Sequence, residues 1–233
     1  MKKLTYLFIG SALVLASCKK KGNDDPAPTP VPETPTALVK FVNGALNSGV
    51  LSVKINDTTL QPLTGGVNFL GVSSYTRTSV GGSTKISYIY PNTGTVFQEM
   101  TSGLSAGNYY TAFVAGEVPG NIAMMVTSDD VTAPSAGKSK IRLVNLSADN
   151  YNLSFYVGGP KLDSNVAYKG VTPFYEVNAG SANIIAQDPM QVGNQRTLNG
   201  QMLEAGKIYT IIFTGKTNST GDADLKLTVV NNN

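Results

Sequence analysis

The sequence predicts an all-β protein: two tandem antiparallel β-sandwiches behind a signal peptide and a Pro-rich tether. Three observations carry this. The chain repeats itself at an offset of 102 and then 99 residues, its apolar residues alternate with polar ones at period two, and turn residues such as Gly65-Gly66 and Asn199-Gly200 separate the alternating runs.

Residues 1–17 read as a secretory signal. Lys2 and Lys3 precede an apolar run from Leu4 to Leu15, which is shorter than the roughly 20 residues a bilayer helix needs. The segment ends Leu15-Ala16-Ser17-Cys18. It resembles a bacterial lipobox, in which small residues precede a cysteine that is acylated and becomes the new N-terminus. Cys18 is the only cysteine in the chain and is therefore read as a lipid anchor. Several acyl chains hold a protein at a membrane where one holds it only marginally, so Cys18 would fix this chain to a membrane without a spanning helix.

Residues 18–36 form the lipidated cysteine and its tether. Lys19-Lys20-Lys21 and Asp24-Asp25 lead into Pro26, Pro28, Pro30, Pro32 and Pro35. Such chain favours polyproline II at about 3.1 Å per residue, a reach of roughly 50 Å from the lipid surface. The lysines can touch anionic headgroups. Charged residues just after the cysteine also resemble surface-export signals of Bacteroidetes lipoproteins, although there the acidic residues come first. The expected location is the cell envelope, as an outer membrane lipoprotein that is periplasm-facing or surface-exposed.

The first repeat is assigned to residues 37–130, a linker to 131–138 and the second repeat to 139–233. Val39-Lys40-Phe41-Val42-Asn43 matches Ile141-Arg142-Leu143-Val144-Asn145, and Gly71-Val72 matches Gly170-Val171. Leu104-Ser105-Ala106-Gly107 and Tyr110-Thr111 match Leu203-Glu204-Ala205-Gly206 and Tyr209-Thr210, and Gly116 matches Gly215. Leu51, Val53 and Ile55 alternate with polar residues, as do Leu153, Phe155 and Val157, so each run is a strand with one buried face. Ile86, Tyr88 and Tyr90, then Tyr110, Ala112 and Val114, then Tyr209, Ile211 and Phe213, extend the pattern. Gly65-Gly66, Gly81-Gly82, Gly158-Gly159-Pro160 and Asn199-Gly200 supply the turns.

The run from Ile141 to Asp149, Asn165 to Tyr168, Val171 to Gly180 and Leu203 to Thr210 resembles the bacterial domain of unknown function numbered 4397. The resemblance spans about residues 37–230 and is strongest in the second copy. It implies tandem immunoglobulin-like sandwiches in a secreted or envelope protein, with no established activity. Family members commonly carry His-Ala-Ser after the first strand, where this chain has Asn145-Leu146-Ser147 and Asn43-Gly44-Ala45.

Composition bounds the chemistry. With no histidine and one cysteine there is no Ser-His-Asp or Cys-His machinery, no imidazole metal ligand and no internal disulfide. The formal charge of +3 falls to +1 once Lys2 and Lys3 are removed, which gives no argument for nucleic acid. Gly137-Lys138-Ser139 resembles the end of a phosphate loop but precedes a predicted strand instead of a helix, so no nucleotide is expected. Ser135 and Lys138 fit a Ser-x-x-Lys spelling, in what reads as linker.

Asp129, Asp130, Asp222 and Asp224 can supply hard oxygen ligands for calcium, and equally read as turn aspartates. Tyr75, Tyr109, Tyr151, Tyr156 and Tyr168 are the aromatic candidates for stacking on a glycan, against a purely structural role. No cofactor is expected. The functional expectation is a non-enzymatic binding, adhesion or structural protein at the envelope, anchored through Cys18, with an envelope protein or glycan as partner. Its alternatives are a carbohydrate-binding or nutrient-capture lipoprotein and, more weakly, a glycoside hydrolase built on two carboxylates.

Overall fold

The computed structural model describes residues 34–60, 63, 65–149 and 152–233. The signal peptide, Cys18, most of the tether and Tyr151 lie outside the described residues. The first half contains β1 (Thr36–Leu46), β2 (Ser52–Ile55), β3 (Thr58–Thr59), β4 (Thr76–Ser79), β5 (Thr84–Ile89), β6 (Val96–Ser102), β7 (Tyr109–Glu117) and β8 (Ala123–Ser128). The second half repeats this plan as β9 (Lys138–Asn145), β10 (Leu153–Val157), β11 (Lys161–Val166), β12 (Tyr175–Asn178), β13 (Gly180–Gln187), β14 (Arg196–Leu203), β15 (Ile208–Thr214) and β16 (Lys226–Asn231). Each half is a sandwich of two four-stranded sheets, ordered β4-β1-β7-β8 over β3-β2-β5-β6, and β12-β9-β15-β16 over β11-β10-β13-β14. The two sandwiches together form one compact unit from Thr34 to Asn233.

One pairing in each half departs from a purely antiparallel arrangement. β1 runs parallel to β7, from Leu38 opposite Tyr109 to Leu46 opposite Glu117, and β9 runs parallel to β15. Period-two alternation says which face of a strand is buried but carries nothing about the direction of its neighbour. A chain that leaves β1, builds the opposite sheet and returns as β7 can lie beside β1 in the same sense.

The alternating residues fill two cores. Val39, Phe41, Leu51, Val53, Ile86, Tyr88, Ala112 and Val114 are buried in the first, and Ile141, Leu143, Leu153, Phe155, Ile184, Tyr209, Ile211 and Phe213 in the second. Tyr88 spans its core from the opposite sheet. Its hydroxyl donates to the Ala112 carbonyl at 2.8 Å and accepts from the Val42 amide at 3.1 Å, which satisfies a polar group that full burial would otherwise penalise. Tyr110 and Tyr209 repeat one corner device: each hydroxyl accepts a backbone amide five residues upstream, from Ser105 and Glu204, at 3.0 Å.

The repeated asparagines are structural. Asn43 is fully buried; its amide nitrogen donates to the carbonyls of Gly49 and Val67 while its oxygen accepts from the Ala45 amide and the Ser48 hydroxyl. Asn145 likewise donates to Val166 and accepts from Ser147. Each ties the end of the first strand to the neighbouring loops, which explains why this residue recurs in both copies.

A third cluster joins the halves. Val42, Phe113, Ala115, Val144, Leu146, Ile212 and Val230 are buried together, contributed by the outward faces of the β1/β7 and β9/β15 sheets. These four strands are therefore covered on both faces, by their own sandwich on one side and by the other sandwich on the second.

Candidate functional site

The joint is also where chemistry collects. Lys40 on β1 and Arg142 on β9 hold equivalent positions and point outward from their own cores into the joint. Each lies over an aromatic ring from the loop that precedes the edge strand of its sheet. The Lys40 ammonium sits 4.4 Å from the Tyr75 ring centre and the Arg142 guanidinium 4.5 Å from that of Phe174, a favourable cation–π geometry. Equivalent pairings hold those loops. Val72 bridges Val42 and Val171 bridges Val144, while the Ser73 and Thr172 hydroxyls accept the amides of Phe41 and Leu143 at 2.9 and 3.0 Å. Two related grooves result. One, of about 430 Å³, is lined by Lys40, Val72, Tyr75, Val230, Asn231 and Asn232; the other, of about 670 Å³, by Ser128, Asp130, Arg142, Val171, Pro173 and Phe174.

The two grooves differ in how their cation is neutralised. Arg142 pairs with Asp129 at 2.5 Å, both side chains essentially inaccessible at 2% and 0% exposure. The remaining guanidinium donors reach Thr210 Oγ1, Thr127 Oγ1 and the Ser128 carbonyl. The other oxygen of Asp129 accepts from Tyr75 Oη at 2.6 Å and Thr111 Oγ1 at 2.5 Å. This carboxylate just past β8 thus gathers donors from both sandwiches. Among the described residues no Asp or Glu side chain pairs with Lys40. Its ammonium donates to the Asn231 carbonyl at 2.7 Å. Asn232 occupies the place after β16 that Asp129 occupies after β8: their amides donate to the equivalent carbonyls of Ile208 and Tyr109. The Asn232 carboxamide is buried with neither atom hydrogen-bonded.

Burial lowers the pKa of Lys40 from its ordinary 10.5 to about 8, an effect that the nearby Asp129 charge opposes and Arg142 reinforces. The Tyr75 hydroxyl is pushed up, chiefly by burial and then by the Asp129 charge. Between pH 8 and 10.5 the unfolded chain holds a proton on Lys40 that the folded chain has lost, so folding stability rises with pH across that window. We expect Lys40→Met to remove this rise and to be the more stable protein at pH 7 by up to about 2 kcal/mol, read from urea midpoints at pH 7, 8.5 and 10. From about pH 10 upward Tyr88, held neutral by burial and ionising only on unfolding, opposes the Lys40 rise in the wild type and makes stability fall in Lys40→Met.

The structure brings Tyr75, Tyr109 and Asp129 together at this joint, with the Tyr75 and Tyr109 rings edge to face at 5.0 Å. Of the other candidates, Asp130 lines the Arg142 groove without touching Arg142, and the rest are dispersed. Asp130 pairs with Lys140 at 2.6 Å, and hydrogen bonds from Lys140 and Thr132 hold its carboxyl at about 2. Asp222 lies 3.6 Å from Lys226, and Asp224 3.0 Å from Arg196. Among the described residues no three His, Cys, Asp or Glu side chains gather as a metal site. Tyr156 stands half-buried on the outer face of β10. Tyr168 is half-buried beside the joint, with Lys169 5.7 Å from its ring. Lys138 opens β9, so the phosphate-loop spelling leads into a strand, and its ammonium donates to Asn178 Oδ1 at 2.6 Å. Asp149 and Asp188 line a cleft of about 420 Å³. Asp149 accepts from the Thr217 amide and hydroxyl, and Asp188 from the Met190 amide.

Lys40, Arg142 and Phe174 are not among the residues that the sequence offers as candidates. The first two carry a signal there: a basic residue recurs at one position inside two nearly continuous apolar runs, Val39–Val42 and Ile141–Val144. Such runs mark strands covered on both faces, and a charge within them must find a partner.

Fold and joint together define a tandem β-sandwich module whose halves pack through their β1/β7 and β9/β15 sheets. The profile of the family described as Domain of unknown function (DUF4397) matches residues 37–156 and again 148–233, and the chain belongs to that family. No curated protein matches the chain.

Proposed function

We propose that this is a lipid-anchored protein of the cell envelope with a non-enzymatic role, its two joined sandwiches carried as a single head on a Pro-rich stalk. The observation that carries the reading is positional: the only cysteine, Cys18, follows Leu-Ala-Ser after an apolar signal and precedes a Pro-rich stretch that leads directly into the compact unit at Thr34. The outer membrane is the proposed location. Pairing of Arg142 with Asp129 across the joint supports a head that presents its loops in constant relative positions, as a binding or structural module requires. The Lys40 groove favours capture of a small ligand as the binding role.

Cell fractionation of Cys18→Ala tests the anchor. The wild type is expected in the membrane fraction and the variant in the soluble one, with incorporation of labelled palmitate lost. Full retention of the variant with membranes would sink the reading.

A further inference from the structure

We propose that Asn199 is a site of slow self-modification, converting to aspartate and isoaspartate at a rate that Asn183 restrains. The chain holds two Asn-Gly pairs, Asn43-Gly44 and Asn199-Gly200. In such a pair the backbone nitrogen of the glycine can reach the side-chain carbonyl of the asparagine, since no Cβ hinders the backbone. The surroundings of the two pairs are opposite. Asn43 is fully buried and its carboxamide is held by four hydrogen bonds, which deny it both water and the rotation that attack requires. Asn199 and Gly200 are both exposed, and a Cβ built on Gly200 would meet only Ser181 Oγ, at 3.6 Å.

The fold presents the exposed pair at a bulge. β14 sets Leu198 opposite Ile184 and Gln201 opposite Ala182, which leaves Asn199 and Gly200 together opposite Asn183. Gly200 takes φ of +62°, a conformation glycine adopts readily. The first sandwich has no bulge there. Lys85 is the counterpart of Asn183, and β5 pairs with β6 unbroken from Thr84 opposite Ser102 to Tyr88 opposite Gln98. The extra residue is therefore particular to the second half, and bulges are features that a fold keeps for a purpose. The Gly200 amide donates to Asn183 Oδ1 at 2.9 Å. That bond engages the proton Gly200 must lose in order to attack.

The reaction balances with water as its only co-reactant. The Gly200 nitrogen bonds to Cγ of Asn199 and gives up its proton, the bond from Cγ to Nδ2 breaks, and ammonia leaves a succinimide. Water then opens the ring at either carbonyl, giving aspartate or isoaspartate, and nothing is oxidised or reduced. The product adds a carboxylate to an exposed edge strand. Charge at such an edge is one of the devices that keep sheets from pairing edge to edge.

The test is peptide-mapping mass spectrometry of the full-length protein after timed incubation in mildly alkaline buffer, with isoaspartate counted by enzymatic methylation. Asn199 is expected to convert while Asn43 stays intact. Asn183→Ala removes the acceptor and should speed conversion by about two- to ten-fold, the worth of one neutral hydrogen bond. Asn183→Asp keeps an acceptor oxygen and should convert no faster than the wild type, which separates the lost hydrogen bond from a general loosening of β14. In guanidinium, where neither surrounding persists, the two pairs should convert at similar rates. The proposal is overturned if native Asn199 converts no faster than Asn43, if Asn183→Ala keeps the wild-type rate, or if Asn183→Asp is as fast as Asn183→Ala. Unequal rates in guanidinium would place the difference in local sequence and overturn it as well.

Discussion

Replacing Asp129 by alanine should cost about 3 to 5 kcal/mol of folding stability, because it strands the buried guanidinium of Arg142 without its counter-ion. The carboxylate accepts hydrogen bonds from Arg142, Tyr75 and Thr111 at 2.5 to 2.6 Å, so all three donors lose a partner at once. The discriminating measurement is a double-mutant cycle by urea unfolding. Arg142→Met alone should also destabilise, since it leaves Asp129 as an uncompensated buried anion. Asp129→Ala with Arg142→Met should be much less damaged than the sum of the two, because no unpaired charge remains. Additive losses would mean that the two side chains do not act as a pair, and the joint would then rest on its apolar cluster of Val42, Phe113, Val144 and Ile212 alone.

The second large effect is expected at the glycines that recur in both copies. Gly116 and Gly215 adopt φ of +106° and +101°, in the left-handed half of conformational space. A Cβ on Gly116 would stand 1.8 Å from the Asn121 carbonyl oxygen, and one on Gly215 2.2 Å from that of Asp224. Both obstacles are backbone and cannot rotate away. Gly116→Ala should therefore combine about 1 to 2 kcal/mol of conformational cost with about 1 to 3 kcal/mol of overpacking. Gly107→Ala makes a useful control, having φ of +79° but open space around the added Cβ. It should show only the conformational part. Equal losses at Gly116 and Gly107 in thermal or urea unfolding would remove the steric contribution.

These residues also mark how far the sequence could be read. Gly116 and Gly215 were visible as a repeat match, but the reason they recur is a backbone contact with a chain segment five to nine residues away. Asn43 and Asn145 were likewise visible as repeats, and their hydrogen bonds to loop carbonyls supply the cause. The sequence offers Tyr75 as an aromatic platform and Asp129 as a calcium ligand, each against a plain structural role, and gives no sign that they meet; the structure places them on each other, 2.6 Å apart.

Local chemistry was enough to specify the strands, the turns and the two-fold repetition of the sandwich, because alternation and turn residues act over a few positions along the chain. Lipidation at Cys18 belongs with these as a local reading and awaits its fractionation test. Direction and partnership are different matters. The parallel pairing of β1 with β7 depends on contacts between residues about 70 positions apart, and the packing of one sandwich's sheet on the other includes contacts as distant as Lys40 with Asn231. A nearly continuous apolar run marks a strand covered on both faces but does not say what covers it, so only the assembled structure shows that Val42, Phe113 and Arg142 meet the other sandwich. The carboxylate that meets Arg142 and the carbonyl that meets Lys40 each come from the other sandwich, and become partners only once the two halves are in contact.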